Sequence, residues 1–262
     1  MFSYHNHSNF SDGHNSLEEM LVSAYNHGIR EYGFSDHFGI WKGDNAPDFL
    51  IKDLNEYFDA CKNLKECYAH KVQVKIGVEN EYLPDTLKEE EEYLKNFDLD
   101  YIIGSNHFID KWAADESKES WLELGQDEID RRIEKYWLDT YEMCKIMDCD
   151  LIGHIDLCEK WGPLNNKDYT DYFVECVKTI QDRGLVIEVN TAKKILGEFY
   201  PKESYIEILG DYKVPVVISS DAHYPVHVTR HFDMALSLLC KYKIKYTAKF
   251  DKRKILIEKI EL

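Results

Sequence analysis

The 262-residue sequence has no run approaching the roughly 18 consecutive apolar residues that a membrane-spanning helix needs, which argues against an integral membrane protein. Nor does it open with a basic stretch followed by an apolar one, so the cytoplasm is the expected compartment. Positive charge is in deficit: 32 basic against 49 acidic residues leave a net −17. Such a field repels polyanions at long range, so neither extended nucleic acid nor an anionic membrane surface is an expected partner. The seven cysteines, Cys61, Cys67, Cys144, Cys149, Cys158, Cys176 and Cys240, form no C-x-x-C pair and are odd in number. That pattern suits free thiols in a reducing compartment, not a disulfide framework or a structural zinc knot. No G-x-G-x-x-G or G-x-x-x-x-G-K-[ST] follows the first apolar run, which removes the main support for a nucleotide-binding open sheet. Linkers and low-complexity tracts are also missing.

What is present is a composition of 44% hydrophobic and 13% aromatic residues, enough for one large core, so residues 1–262 are expected to form a single domain. Short apolar runs alternate with longer amphipathic ones, the pattern of repeated βα units. The expected strands are Phe2–His7, Glu31–Ser35, Val72–Val78, Tyr101–Ser105, Leu151–Ile155, Leu185–Val189 and Val214–Ser219. Helices are expected at SLEEMLVSAYNHG, with Ser16 as N-cap, Glu19 three residues on and Gly28 as the stop, and near Ile51–Tyr68, Thr86–Phe97, Gln126–Met147, Lys167–Arg183, Lys202–Leu209 and Val228–Lys241. Alternation alone fits a closed barrel or an open sheet. The missing phosphate loop favours an α/β barrel.

The chemistry lies where strands end. His5 and His7 sit in the first strand, and residues i and i+2 of a strand share a face, so the two imidazoles converge. Asp36 and His37 follow the second strand in FSDHFG, and Glu79 and Glu81 the third in IGVENEY. His107 follows the fourth in IIGSNHF, and His154 and Asp156 end the fifth in LIGHIDL. Glu188 and Asn190 end the sixth in VIEVNTA, and Asp221 and His223 follow the seventh in VISSDAH. In a βα barrel these strand ends share one rim, where active sites are built. His5, His7, Asp12, His37, Glu79, His107, His154, Asp221 and His223 exceed the three or four protein ligands of one zinc-like ion, so the site is expected to hold several metals. Imidazole and carboxylate without thiolate suit Zn, Mn or Fe.

As an ordered set, H-x-H with S-D-G, then [ST]-D-H, G-x-E-x-E, G-S-x-H, G-H-x-D, E-x-N and S-S-D-A-H resembles the PHP (polymerase and histidinol phosphatase) metal-dependent phosphoesterases, from residue 5 to residue 223. The resemblance implies a distorted (β/α)7 barrel and three divalent metal ions. By motif, His5, His7, Glu79 and Asp221 would hold the first metal. Glu79 would bridge to a second, held also by His107 and His154, and Asp12, His37 and His223 would hold the third. Asp12 is preferred to its neighbour His14 because S-D-G matches the family pattern. The stretch IEVNTAKKILGEFYPKESYIEIL looks like the histidinol-phosphate phosphatase branch, which implies a small phosphate ester as substrate and metal-activated water as nucleophile. Asp221 is the expected orienting residue for that nucleophile.

In one respect the chain departs from that branch. Lys160, Lys193 and Lys194 stand where phosphate-contacting arginines are expected, and lysine offers a point charge in place of a bidentate fork. Arg230 is a further candidate phosphate contact. Among Trp112, Trp121, Trp137 and Trp161, the last follows a ligand motif most closely and ranks first as a pocket wall. The acidic run KEEEEYLK at 88–95 is expected to be a solvated helix face. Two rival functions stay open: a PHP phosphoesterase acting on nucleotides or short oligonucleotides, and a metal-binding regulatory module without catalysis. The sequence is silent on oligomeric state.

Overall fold

A computed structural model describes residues 1–193 and 197–260. Its strands are β1 (Phe2–Ser3), β2 (Glu31–Phe34), β3 (His37–Phe38), β4 (Gln73–Glu81), β5 (Tyr101–Ser105), β6 (Phe108–Ile109), β7 (Trp112–Ala113), β8 (Leu151–Ile152), β9 (Val186–Asn190), β10 (Val216–Ser219), β11 (Tyr246–Asp251) and β12 (Lys254–Lys259). Its helices are α1 (Leu17–Asn26), α2 (Leu54–Cys67), α3 (Leu87–Leu94), α4 (Lys118–Leu122), α5 (Gln126–Ile146), α6 (Thr170–Arg183), α7 (Glu203–Leu209) and α8 (Phe232–Lys241). No helix among the described residues is long and apolar enough to cross a membrane.

β1, β2, β4, β5, β8, β9 and β10 pair in chain order and all in parallel, with a helical crossover between successive members. They are the seven strands expected from the sequence. The first differs in extent: Phe2 and Ser3 pair with β2, whereas Asn6 bridges to Ala222 and the His7 amide donates to the Ala222 carbonyl at 2.9 Å. The strand thus changes neighbour midway. This bridge brings the first and the last of the seven parallel strands together into a distorted (β/α)7 barrel. The third strand runs three residues beyond its expected end, because Glu79, Asn80 and Glu81 still find ladder partners on β5.

Inside the barrel, Tyr4, Tyr101, Ile103, Leu151, Val186 and Val217 pack with Ala248 and Phe250 of the β11–β12 hairpin. The Tyr101 side chain fills the space over Gly33 and Gly77, where an added Cβ would lie 2.2 Å from its hydroxyl and 2.6 Å from its ring, so only glycine fits those positions. The larger core lies between the sheet and the outer helices. α1 begins as expected: the Glu19 amide donates to Ser16 Oγ and Glu19 accepts from the Ser16 amide, the reciprocal capping box. The β11–β12 hairpin was not anticipated, because its turn, Lys252–Arg253, has positive φ at both residues without the Gly or Asn that normally announces such a turn.

The acidic run in α3 is not wholly solvated. Glu90 is fully buried, accepting from the Ile40 amide at 2.9 Å and from Thr86 Oγ1 at 2.7 Å. Burial pushes its carboxyl up to about 7. A carboxyl raised in the fold is protonated more readily there than in the unfolded chain, so its stabilising contribution is full below about 4.5 and is lost as pH rises through about 7. Thermal unfolding of the metal-free protein is therefore expected to shift downward between those pH values, and Glu90→Gln to flatten the dependence by up to about 3 kcal/mol. Parallel melting curves for wild type and variant across that window would refute this.

Candidate metal centre

Every barrel strand delivers a ligand-type side chain to the C-terminal rim. His5 and His7 come from the segment between β1 and the Ala222 bridge, and their ring centres lie 5.1 Å apart. Glu79 and Glu81 come from β4, His37 from β3, His107 from beyond β5, His154 from beyond β8, and Asp221 and His223 from beyond β10. Asp221 holds a left-handed backbone, φ 49°, a conformation that Asp tolerates better than most residues.

Four groups of side chains place candidate ligand atoms within 4.8 Å of one another: His7, Asp12, His37 and His223; His37, Glu79, Glu81 and His107; His5, His154 and Asp221; and His5, His7 and Glu79. All nine expected ligands appear in these groups, and no cysteine does. Glu79 Oε2 lies 3.1 Å from His5 Nε2, 3.4 Å from His7 Nε2 and 3.0 Å from His37 Nδ1, while Oε1 lies 2.9 Å from His154 Nε2. Asp221 Oδ1 is 3.1 Å from His7 Nε2, and Asp12 Oδ2 is 3.1 Å from His223 Nε2. Exposed His14 stacks on Tyr224 instead, at 4.1 Å.

The residues fit metal ions. His5 Nε2, both His7 nitrogens and Glu79 Oε2 are buried without a hydrogen-bond partner among the described residues, although nitrogen and carboxylate stand 3.1–3.4 Å apart. Close approach without hydrogen-bond geometry is what two ligands of one ion show, since donors about 2.1 Å from a shared centre lie about 3.0–3.4 Å from each other. The electrostatics agree. Burial would lower His5, but the carboxylates of Glu188, Glu79 and Asp221 outweigh it and push its pKa well up. His107 likewise rises to about 9, against its burial, through Glu81 and Glu79. Burial would raise Glu79, yet His5, His37 and His107 hold it well below the usual carboxylate range. Buried carboxylates that draw protons onto imidazoles are carboxylates short of cations, and bound metals release such protons.

Two supporting residues were named in the sequence but not among the ligands. Glu188 receives His5 Nδ1 at 2.7 Å and the His154 amide at 2.8 Å, fixing the ring of the first and the backbone of the second. Glu81 lies 2.9 Å from His37 Nδ1 and 2.8 Å from His107 Nδ1, and its position inside the second group makes it a candidate ligand as well. The E-x-E spacing in a strand was the available signal, since it places Glu79 and Glu81 on one face.

Above the cluster opens a cavity of about 850 Å³. Asp12, His37, His107, His154, Asp221 and His223 form its floor, and Trp41, Phe49, Phe108 and Trp112 line it with Asp115 and Glu116. Trp161, ranked first from sequence, packs against the core beneath Lys160 instead, and Trp121 and Trp137 are fully buried. Arg230 and Lys193 line the cavity. Lys160 does too, but its ammonium is paired with Asp115 at 2.9 Å. Lys194 lies outside the described residues. Arg230 donates to the Ser220 carbonyl at 2.8 Å, and its buried Nε has no partner among the described residues.

The PHP domain family matches this chain over residues 3–192. A probable histidinol-phosphatase of Deinococcus radiodurans is 28% identical over 217 residues, 82% of each chain. The histidinol-phosphatase of Lactococcus lactis is 22% identical over 262 residues, 96% of this chain and 95% of the relative. The crystal structure of histidinol phosphate phosphatase from Lactococcus lactis, complexed with zinc, L-histidinol and phosphate, superimposes with a TM-score of 0.83 at 21% identity, covering 97% of this chain and 98% of that one.

Proposed function

This chain belongs to the PHP domain family, and on that premise we propose that it is a metal-dependent phosphomonoesterase that hydrolyses L-histidinol phosphate to L-histidinol and inorganic phosphate, a step of histidine biosynthesis. The observation that carries the reading is the convergence of nine imidazole and carboxylate ligands beneath one cavity of substrate size. The names of the relatives in Deinococcus and Lactococcus support the substrate.

Three divalent ions, Zn, Mn or Fe, would be shared among His5, His7, Glu79 and Asp221, among Glu79, His107 and His154, and among Asp12, His37 and His223. When bound they supply a water acidic enough to ionise near neutral pH and a positive field over the phosphoryl oxygens. Asp221 orients the attacking water through its carboxylate, which Asn190 Nδ2 steadies at 3.3 Å. Arg230 takes the non-bridging phosphate oxygens, its Nε, without a partner among the described residues, and its planar fork matching two acceptors. Lys193 adds positive charge from the exposed rim, and Lys160 acts together with Asp115. Trp41, Phe49, Phe108 and Trp112 offer flat faces and Glu116 offers a carboxylate, a lining suited to an imidazole and a primary ammonium.

Phosphate release from histidinol phosphate, mononucleotides and sugar phosphates, measured with and without chelator, tests this. The expected result is a kcat/KM for histidinol phosphate at least about tenfold above any other ester, abolished by chelator, with tenfold corresponding to about 1.4 kcal/mol of transition-state preference. A nucleotide preferred by that margin would overturn the substrate, and turnover indifferent to chelator would overturn the chemistry.

A further inference from the structure

β12 is the last strand of the sheet, paired along its length with β11, and its other edge meets no strand among the described residues. Two large apolar side chains stand out from it, Leu256 49% and Ile257 60% exposed. Such an edge is a template for another strand.

The register decides which strand fits. A two-residue turn makes its flanking pair, Asp251 and Lys254, a hydrogen-bonded one, and the pattern then alternates through Lys249–Leu256 and Thr247–Glu258. The Ile260 amide, donating to the Lys245 carbonyl at 2.8 Å, continues that alternation. Ile255, Ile257 and Lys259 therefore turn their N–H and C=O groups to the open edge.

We propose that this edge pairs antiparallel with β12 of a second copy, centred on Leu256. In that register Ile255 exchanges both backbone hydrogen bonds with the partner's Ile257, and Ile257 with the partner's Ile255. Leu256 meets the partner's Leu256 at a non-hydrogen-bonded site, where side chains approach most closely. Lys254 faces the partner's Glu258 at both ends. Sliding the pairing by two residues toward Ile257 sets Leu256 against Glu258 and removes both ion pairs, so charge selects the centre. Glu258 is already oriented by Lys249 at 3.0 Å. A six-residue strand covers less than the roughly 800 Å² per partner of a tight interface, which sets the expected dissociation constant in the micromolar range.

Sedimentation velocity on the full chain across a concentration series is expected to show a monomer–dimer equilibrium. Ile257→Pro leaves the ladder to β11 intact because the Ile257 amide points outward, and is expected to weaken the dimer at least about tenfold. Lys254→Glu and Glu258→Lys should each weaken it by like-charge contact, while their equimolar mixture, in which every facing pair is again opposite in sign, should recover it. A wild-type mass that stays monomeric throughout, or an Ile257→Pro dimer of unchanged affinity, overturns the interface. Failure of the mixture to recover the dimer overturns the register.

Discussion

Glu79→Gln is expected to strip the protein of metal and of turnover while the barrel stays folded. Both Glu79 oxygens are in use: Oε2 faces His5, His7 and His37, and Oε1 faces His154 and His107, at distances from 2.9 to 3.9 Å. No other carboxylate in the cluster touches so many imidazoles. The side chain is fully buried, so the amide, of the same shape, fills the same space. What it loses is the negative charge that would offset two closely spaced dications in the proposed bridging role. Metal-dependent hydrolysis draws several kcal/mol from its ions, so kcat/KM should fall at least about a thousandfold, roughly 4 kcal/mol. Elemental analysis should find fewer metals per chain than in wild type, and far-UV circular dichroism should be unchanged. Full metal content together with wild-type turnover would remove Glu79 from the bridging role.

Arg230→Ala is the second large effect, expected to lower kcat/KM by about 10- to 150-fold, the roughly 1.5–3 kcal/mol of a charged hydrogen bond in a partly desolvated site. Burial lowers the pKa of Arg230, with Asp221 and Tyr200 opposing, and the guanidinium stays charged at neutral pH. Its anchor on the Ser220 carbonyl sets the fork beside Asp221, whereas Lys160 is held by Asp115 and Lys193 stands exposed. Arg230→Lys should recover only part of the loss, because an ammonium keeps the charge but not the planar pair of donors. Lys193→Ala should cost much less, as exposed charges do. If Lys193→Ala or Lys160→Ala costs more than Arg230→Ala, the phosphate end has been assigned to the wrong cation.

The architecture and the types of ligand are legible from the order of residues alone. Parallel strands buried on both faces must be apolar throughout, so all seven barrel strands stand out as short hydrophobic runs, and the polar residues closing each run mark the rim. The H-x-H and E-x-E pairs announced themselves because alternation along a strand is a local property. Relations between residues far apart in the chain emerge only when it folds. His5 leans on Glu188, Lys160 is neutralised by Asp115, and Glu90 is buried by the loop carrying Ile40; no local pattern encodes such pairings. The change of neighbour at Asn6 and the Lys252–Arg253 hairpin were likewise illegible. The first depends on where the last barrel strand arrives, and the second on a backbone that the rest of the fold holds in a conformation its residues do not themselves prefer.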